Sequence, residues 1–228
     1  MDIVFYNGDF LSKSEVSISI NNRSFNYGDG FFESIKIINS KPFNLKHHFN
    51  RISNALNILS IDNSISLEFV KKNIDRLIEL NNITHGSAKI HFSRQSIGKY
   101  LPKSNNFDLF ISSSKGYDYI HNNALSLCFY EDEYKSKGSL SNVKSTSALV
   151  YVLASIYAYE NRCDNAILLT IEGKISEIAN ANIFIVRNNK IYTPPLVDAC
   201  VDGTMRRWIM NKENIIKKSI FKNEILDS

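Results

Sequence analysis

The sequence predicts an α/β chain, more closely an α+β arrangement of two lobes, and three observations lead there. Short β-branched and aromatic runs alternate with two segments of helical period in the first half. A polar stretch at 113–123, containing Gly116, interrupts the chain near its middle, and a second set of strands and helices follows it. We therefore place an N-terminal α/β lobe at 1–114, a linker at 115–123 and a C-terminal lobe at 124–228. With 228 residues, 43% of them hydrophobic, the chain has the length and the apolar content for either one large or two small domains.

The elements follow in order. Ile3-Val4-Phe5-Tyr6, then Asn7-Gly8, then Phe10-Leu11 spells a hairpin, because Asn-Gly takes the positive φ angles of a tight turn. Residues 16–20 alternate like a further strand. In Arg-Ser-Phe-Asn-Tyr-Gly-Asp-Gly-Phe-Phe-Glu, 23–33, two glycines bend the backbone just before a strand at 34–38. Leu45, Phe49, Ile52, Leu56 and Leu59 repeat at helical spacing, with His48 and Arg51 three apart on one flank. A second amphipathic helix covers 66–80, with Ser66 as N-cap and Glu68 in its first turn. A strand at 88–93 carries Lys89 and His91 and is followed by Arg94; His91, among apolar neighbours, reads as a core histidine. A loop, 95–102, leads to a strand at 107–112.

The second lobe opens with a strand at 124–130. Lys144 follows a short polar run, 139–143, and precedes an apolar segment, 148–159, which is too long for a strand and apolar on most faces, so it reads as a buried helix. A strand at 166–170, a Glu172-Gly173 turn and a short strand deliver Glu177. A strand at 183–186 leads into a hairpin across 187–190. Val201-Asp202-Gly203-Thr204-Met205-Arg206 opens a helix, whose first backbone N–H groups suit a phosphate. Taken singly, Lys144, Glu177 and Arg51 read as solvated surface charges, since such residues are seldom buried.

Composition narrows the function. A net charge of +4, much of it in the lysines of 212–222, argues for solubility rather than nucleic-acid binding, and no aromatic-basic platform accompanies it. Cys128, Cys163 and Cys200 show neither metal-ligand spacing nor a disulfide framework. We expect no metal, reduced core thiols and a cytoplasmic protein. The N-terminus has no signal-peptide layout, and no apolar run reaches membrane-spanning length.

Together these segments resemble the class IV aminotransferase family, the pyridoxal-phosphate enzymes of fold type IV. The resemblance runs from about Ile3 to Ile209, with its pieces in family order: Tyr27-Gly-Asp-Gly-Phe-Phe-Glu33, His48-x-x-Arg51, Lys144, Glu177 with Asn182-Ile-Phe, Thr193-Pro194, and Gly203-Thr204-Met205-Arg206. It implies a smaller N-terminal α/β lobe and a barrel-like α/β C-terminal lobe with pyridoxal 5′-phosphate between them, and a homodimer in which the loop at 95–101 approaches the partner's site. Lys144 would hold the cofactor as a Schiff base and move the proton. Glu177 would keep the pyridine nitrogen protonated. Arg51 and the N–H groups of Thr204 and Met205 would hold the phosphate. Asn182 and Gly203 complete the cofactor set, with Val201 as the apolar residue against the ring. Family members also continue past Ser228 with a strand and a phosphate-touching loop.

The substrate, by the same resemblance, is a small amino compound whose carboxylates meet Tyr27, Lys89, Arg94, Lys99 and Tyr100. That set is similar to the loop of 4-amino-4-deoxychorismate lyase, and Met205 leans the same way. Leu149 stands where branched-chain members carry tyrosine. The favoured expectation is the lyase reaction, elimination of pyruvate to leave 4-aminobenzoate. The alternatives are a D-amino-acid or branched-chain type aminotransferase, and a non-catalytic cofactor-binding relative.

Overall fold

The computed structural model describes residues 2–116 and 124–226. The chain divides into two compact units, Met1–Ile120 with Lys144–Ser147, and His121–Val143 with Ala148–Ser228. Most of the expected linker, 117–123, lies outside the described residues. Division at the linker alone does not anticipate the second segment of the first unit, the four residues that begin with Lys144.

In the first unit, β1 (Ile3–Tyr6) and β2 (Asp9–Ser12) form the expected hairpin, with Asn7 and Gly8 at positive φ. The strand expected at 16–20 is absent. A 3-10 turn, Lys13–Glu15, leads there into an exposed stretch without a sheet partner. Alternation prepares a face, but a strand persists only where a neighbour completes its hydrogen bonds. A short helix, α1 (Arg23–Tyr27), replaces the expected bend; the Asn22 side chain caps it at one end and Gly28, in the left-handed region, at the other. Then come β3 (Gly30–Ile38), β4 (Lys41–Pro42), α2 (Leu45–Ile58), α3 (Leu67–Leu80), β5 (Gly86–Arg94) and β6 (Phe107–Lys115). Ser66 caps α3 as expected, accepting from the Phe69 N–H.

The six strands make one antiparallel sheet in the order β2-β1-β6-β5-β3-β4. Helices α2 and α3 pack on it. Phe31, Ile35 and Ile37 of β3 join Ile52 and Leu56 of α2 and Ile74 and Leu77 of α3 in the core. Glu33 is the one charged member of that buried row on β3.

In the second unit, β7 (Leu127–Tyr130) and β8 (Asn165–Leu169) are parallel, joined by a crossover that contains α4 (Leu149–Glu160), and β9 (Ile175–Ile178) returns antiparallel. A second sheet joins β10 (Ile185–Arg187), β11 (Lys190–Thr193) and β12 (Ile215–Lys217), with α5 (Thr204–Met210) before β12 and α6 (Lys222–Leu226) after it. Asn188 and Asn189, both at positive φ, turn the hairpin from β10 to β11. The lysine-rich stretch thus contributes a strand that charge alone concealed.

The expectation of a buried helix at 148–159 is corrected in one respect: α4 forms, but only Ala154 and Ala158 are buried, against Tyr130, Ala166 and Leu168. Leu149, Val152, Leu153, Ile156 and Tyr159 are exposed. The two alanines, one turn apart, form the face that meets the sheet, with Val150, Tyr151 and Tyr157 partly buried beside them. Among the cysteines only Cys200 is buried, and all three are free thiols. Among the described residues no helix is long and apolar enough to cross a membrane, and no group of His, Cys, Asp and Glu could hold a metal ion.

Candidate active site

Lys144 belongs to the first unit because its segment is laced to the start of β3. The Phe32 N–H donates to the Lys144 carbonyl at 3.0 Å, and the Thr146 N–H to the Gly30 carbonyl at 3.0 Å. The Thr146 hydroxyl shares its proton between the carbonyls of Gly28 and Gly30. Gly30 permits the approach of the surrounding chain: a Cβ there would stand 2.1 Å from Ser24 Oγ and 2.3 Å from the Phe92 carbonyl oxygen. The Lys144 ammonium lies 4.7 Å from the centroid of the Phe32 ring, and Lys89 Nζ lies 4.8 Å from the same centroid.

His91, opposite Phe32 in the β3–β5 register, stacks on that ring at 5.5 Å. Burial first, and the charge of Lys89 second, push its imidazole down to about 4. It is therefore neutral at physiological pH. An unfolded histidine titrates near pH 6.5, so below that the unfolded chain binds more protons, and stability falls as pH drops from about 6.5 to about 4. Urea unfolding at pH 7 and pH 5 is expected to show this loss, and His91→Phe, which keeps the stack and removes the titration, should flatten it. An equal slope in the variant would remove His91 as the cause.

Arg51 is held on the other side of the strand alternation. Its Nε and Nη2 donate to Glu33 Oε1 and Oε2 at 2.6 and 2.7 Å, and His48 Nδ1 faces Oε2 at 2.6 Å. Burial would raise the Glu33 pKa, but the hydrogen bonds and charges of His48 and Arg51 outweigh it and hold the carboxyl below its usual value. Glu33 thus engages the Nε and Nη2 donors of the guanidinium.

The expected substrate residues separate. Tyr27 and Tyr100 pack ring to ring at 5.7 Å, and Lys99 is exposed beside Tyr100. Lys89 is exposed and shares Phe32 with Lys144. Arg94 is corrected: it is buried, and its guanidinium donates to Asp29, to the carbonyls of Leu59 and Ser60, and to Asn105 Oδ1. Its geometry ties β5 to the end of α2, so its donors serve the fold.

In the second unit Glu177, on β9, is 3% exposed. Its Oε1 accepts from the Tyr151 hydroxyl at 2.8 Å and forms an ion pair with Lys135 Nζ at 3.1 Å, and its Oε2 accepts from the Val201 N–H at 3.0 Å. Lys135 Nζ also donates to the Tyr151 oxygen. Burial, and then the negative charge and hydrogen bond of Glu177, push the Tyr151 pKa far up, so the phenol stays protonated and donates. Tyr151→Phe is expected to cost about 1.5 kcal/mol, the worth of a hydrogen bond to a charged group. An unchanged urea midpoint would show that the bond contributes nothing.

Asn182 donates from Nδ2 to the Val201 carbonyl at 2.9 Å. A Cβ on Gly203 would lie 1.8 Å from Asn182 Oδ1, so a larger residue there would displace the Asn182 side chain. Glu177, Asn182, Val201 and Gly203 are thus brought together, with Thr204 and Met205 opening α5 directly after them. Sequence reasoning missed Tyr151, Lys135 and Glu33. Tyr151 lies two positions beyond Leu149, the position the family resemblance singles out. Glu33 closes the Tyr27–Glu33 motif, but its buried partners 15 and 18 residues on emerge only with the fold. Nothing in the sequence marks Lys135.

The sequence profile of the family described as Amino-transferase class IV matches residues 30–226. A D-alanine aminotransferase of Staphylococcus haemolyticus is 27% identical over 99% of this chain and 82% of its own length. A branched-chain aminotransferase from Thermoproteus uzoniensis, solved with norvaline, superposes with a TM-score of 0.91 at 22% identity, over 98% of this chain and 80% of that one. A structure named as a candidate 4-amino-4-deoxychorismate lyase from Legionella pneumophila superposes at 0.87 and 24% identity, over 93% and 81%. The architecture is that of fold type IV pyridoxal-phosphate enzymes.

Proposed function

For a chain that belongs to the class IV aminotransferase family, whose members bind pyridoxal phosphate, we propose amino-group transfer between an amino acid and a 2-oxo acid, with D-alanine as the first donor to test. The observation that carries the cofactor reading is Glu177, a buried carboxylate oriented by Tyr151, Lys135 and Val201. A fixed anion of this kind suits a pyridinium N–H. Each oxygen accepts one hydrogen bond, from Tyr151 and from Val201, and a carboxylate oxygen has acceptor capacity for a second donor. The choice of amino transfer over the favoured lyase expectation is supported by the D-alanine aminotransferase relative, which the chain matches over nearly its whole length.

The residues fit the group chemically. When bound, pyridoxal phosphate supplies a carbonyl that bonds amines and a ring that draws electrons from the adjacent carbon. Lys144 Nζ would anchor it and hold and return the proton. Arg51 and the first N–H groups of α5, from Thr204 and Met205, would take the phosphate, with Glu33 and His48 fixing the guanidinium plane. Asn182 and Gly203 would shape the loop at Val201. Lys99, Tyr100 and Tyr27, and separately Lys89 beside Phe32, would meet substrate carboxylates. A homodimer belongs to the same proposal, and a sedimentation mass of one chain would remove it.

The test is to incubate the protein with pyridoxal phosphate, D-alanine and 2-oxoglutarate and to measure pyruvate and glutamate, with L-alanine as control. Equal formation of both products supports transamination. A second reading, the lyase, keeps its footing in Lys99 and Met205. It predicts pyruvate from aminodeoxychorismate with no oxo acid added, and no glutamate from D-alanine.

A further inference from the structure

The loop from β5 to β6 is closed at its base, where the Gln95 N–H donates to the Asn106 carbonyl and Ser96 Oγ accepts from the N–H groups of Lys103 and Ser104. Its crown is held differently. Arg23, 3% exposed, donates from Nη1 to the carbonyls of Gly98 and Lys99 at 3.0 and 2.6 Å, and from Nη2 to that of Tyr100 at 3.3 Å. One guanidinium therefore gathers three successive carbonyls. Its Nε donates to Asp29 Oδ2 at 2.7 Å, and the Tyr27 ring lies 5.0 Å from its carbon.

A buried charge so engaged fixes the backbone from which Lys99 and Tyr100 project. Lysine could not replace it, because a single ammonium lacks the planar spread of donors that reaches three carbonyls. Asp29 is shared with Arg94, so the two guanidinium groups hold one carboxylate between the loop and the end of α2.

We infer that Arg23 is a positioning residue for substrate recognition, holding the 98–100 crown so that Lys99 presents its ammonium in one place to a substrate carboxylate. This rests on the proposed role of Lys99 in binding substrate. Arg23→Gln removes the charge and the fork, while Asp29 keeps its pairing with Arg94, so the unit retains its counter-ion.

Two readouts test it. The first is limited trypsin digestion of the purified protein without substrate, followed by mass spectrometry of the Lys99–Tyr100 cut, whose scissile carbonyl is the one bound at 2.6 Å. Arg23→Gln and Arg23→Lys are expected to be cut there at least about tenfold faster than the parent, the factor set by losing hydrogen bonds to a charged group. The second is a kinetic cycle with Lys99→Ala. Arg23→Gln should raise KM for the amino substrate roughly tenfold with kcat little changed, and Lys99→Ala should add little in that background.

An unchanged cutting rate overturns the clamp. Faster cutting with unchanged KM shows a clamp without a substrate role and overturns the inference. Additive KM effects overturn action through Lys99. If the parent enzyme turns over and Lys99→Ala leaves KM unchanged, the proposed substrate role of Lys99 fails instead, and the digestion result still reports on the clamp.

Discussion

Lys144→Ala is expected to lower turnover by at least about a thousandfold, the scale set by removing a group that both anchors the reacting species and moves its proton. It should also leave the protein without the visible absorbance of bound cofactor, while thermal unfolding of the cofactor-free protein hardly changes. The last expectation follows from how the segment is held. The bonds that lace it to β3 are made by the Lys144 carbonyl and by Thr146, none of which the substitution touches. The substitution removes the ammonium over Phe32, a contact worth about 0.5–1 kcal/mol at a partly exposed site. The variant also decides between two amines. Lys89 Nζ lies as near to Phe32 as Lys144 Nζ does, at 4.8 against 4.7 Å. Lys144 is half-buried on a segment laced to β3, whereas Lys89 is exposed, which favours Lys144 as the anchoring amine. Borohydride reduction of the loaded protein and peptide mapping should place the adduct on Lys144. An adduct on Lys89, or a Lys144→Ala protein that keeps its colour and turnover, would sink the assignment.

Periodicity found the elements whose environment is one-sided. Helices α2 and α3 each turn one apolar stripe to the sheet, so Ile52 and Leu56, Ile74 and Leu77 announce themselves at helical spacing. It failed where composition and burial diverge. Helix α4 is apolar nearly all round, yet the structure buries only its two alanines. The run at 16–20 alternates as a strand should, but pairing is a property of two segments, and one segment does not reveal it. The site divides in the same way. The candidates Lys144, Glu177, Arg51 and Gly203 were named from the sequence because they stand inside an ordered set of short motifs. Lys135, Tyr151 and Arg23 stand outside those motifs and acquire meaning only through partners far along the chain: Tyr151 is 26 residues from Glu177, and Arg23 is 75 to 77 from the carbonyls it holds. Arg94 shows the converse. The family resemblance implies a substrate cation there, and only the carbonyls of Leu59 and Ser60 reveal that the fold has already used it.

Glu33→Ala is expected to destabilise the first unit by about 3–5 kcal/mol, because removing one partner of a buried pair leaves the other charge without compensation. Here the charge that loses this counter-ion is Arg51, buried and bonded to Glu33 through Nε and Nη2, with His48 on the same carboxylate. Glu33→Gln keeps the shape and a carbonyl acceptor but removes the charge, so it should cost less than alanine and still leave Arg51 poorly held. The effect has a pH signature. The Glu33 carboxyl is held below its ordinary value, so its contribution is complete above the unfolded value near pH 4.3 and is lost as pH falls through the lower folded value. The parent should therefore lose more stability than Glu33→Gln on acidification below about pH 4. Urea unfolding at pH 7 and at pH 3.5 measures both. If Glu33→Ala unfolds at the parent's urea concentration at pH 7, the buried ion pair carries no stability. If stability falls but pyridoxal phosphate binds as tightly as in the parent, Arg51 does not need Glu33 to be aimed, and its proposed phosphate role loses the support that its orientation gives.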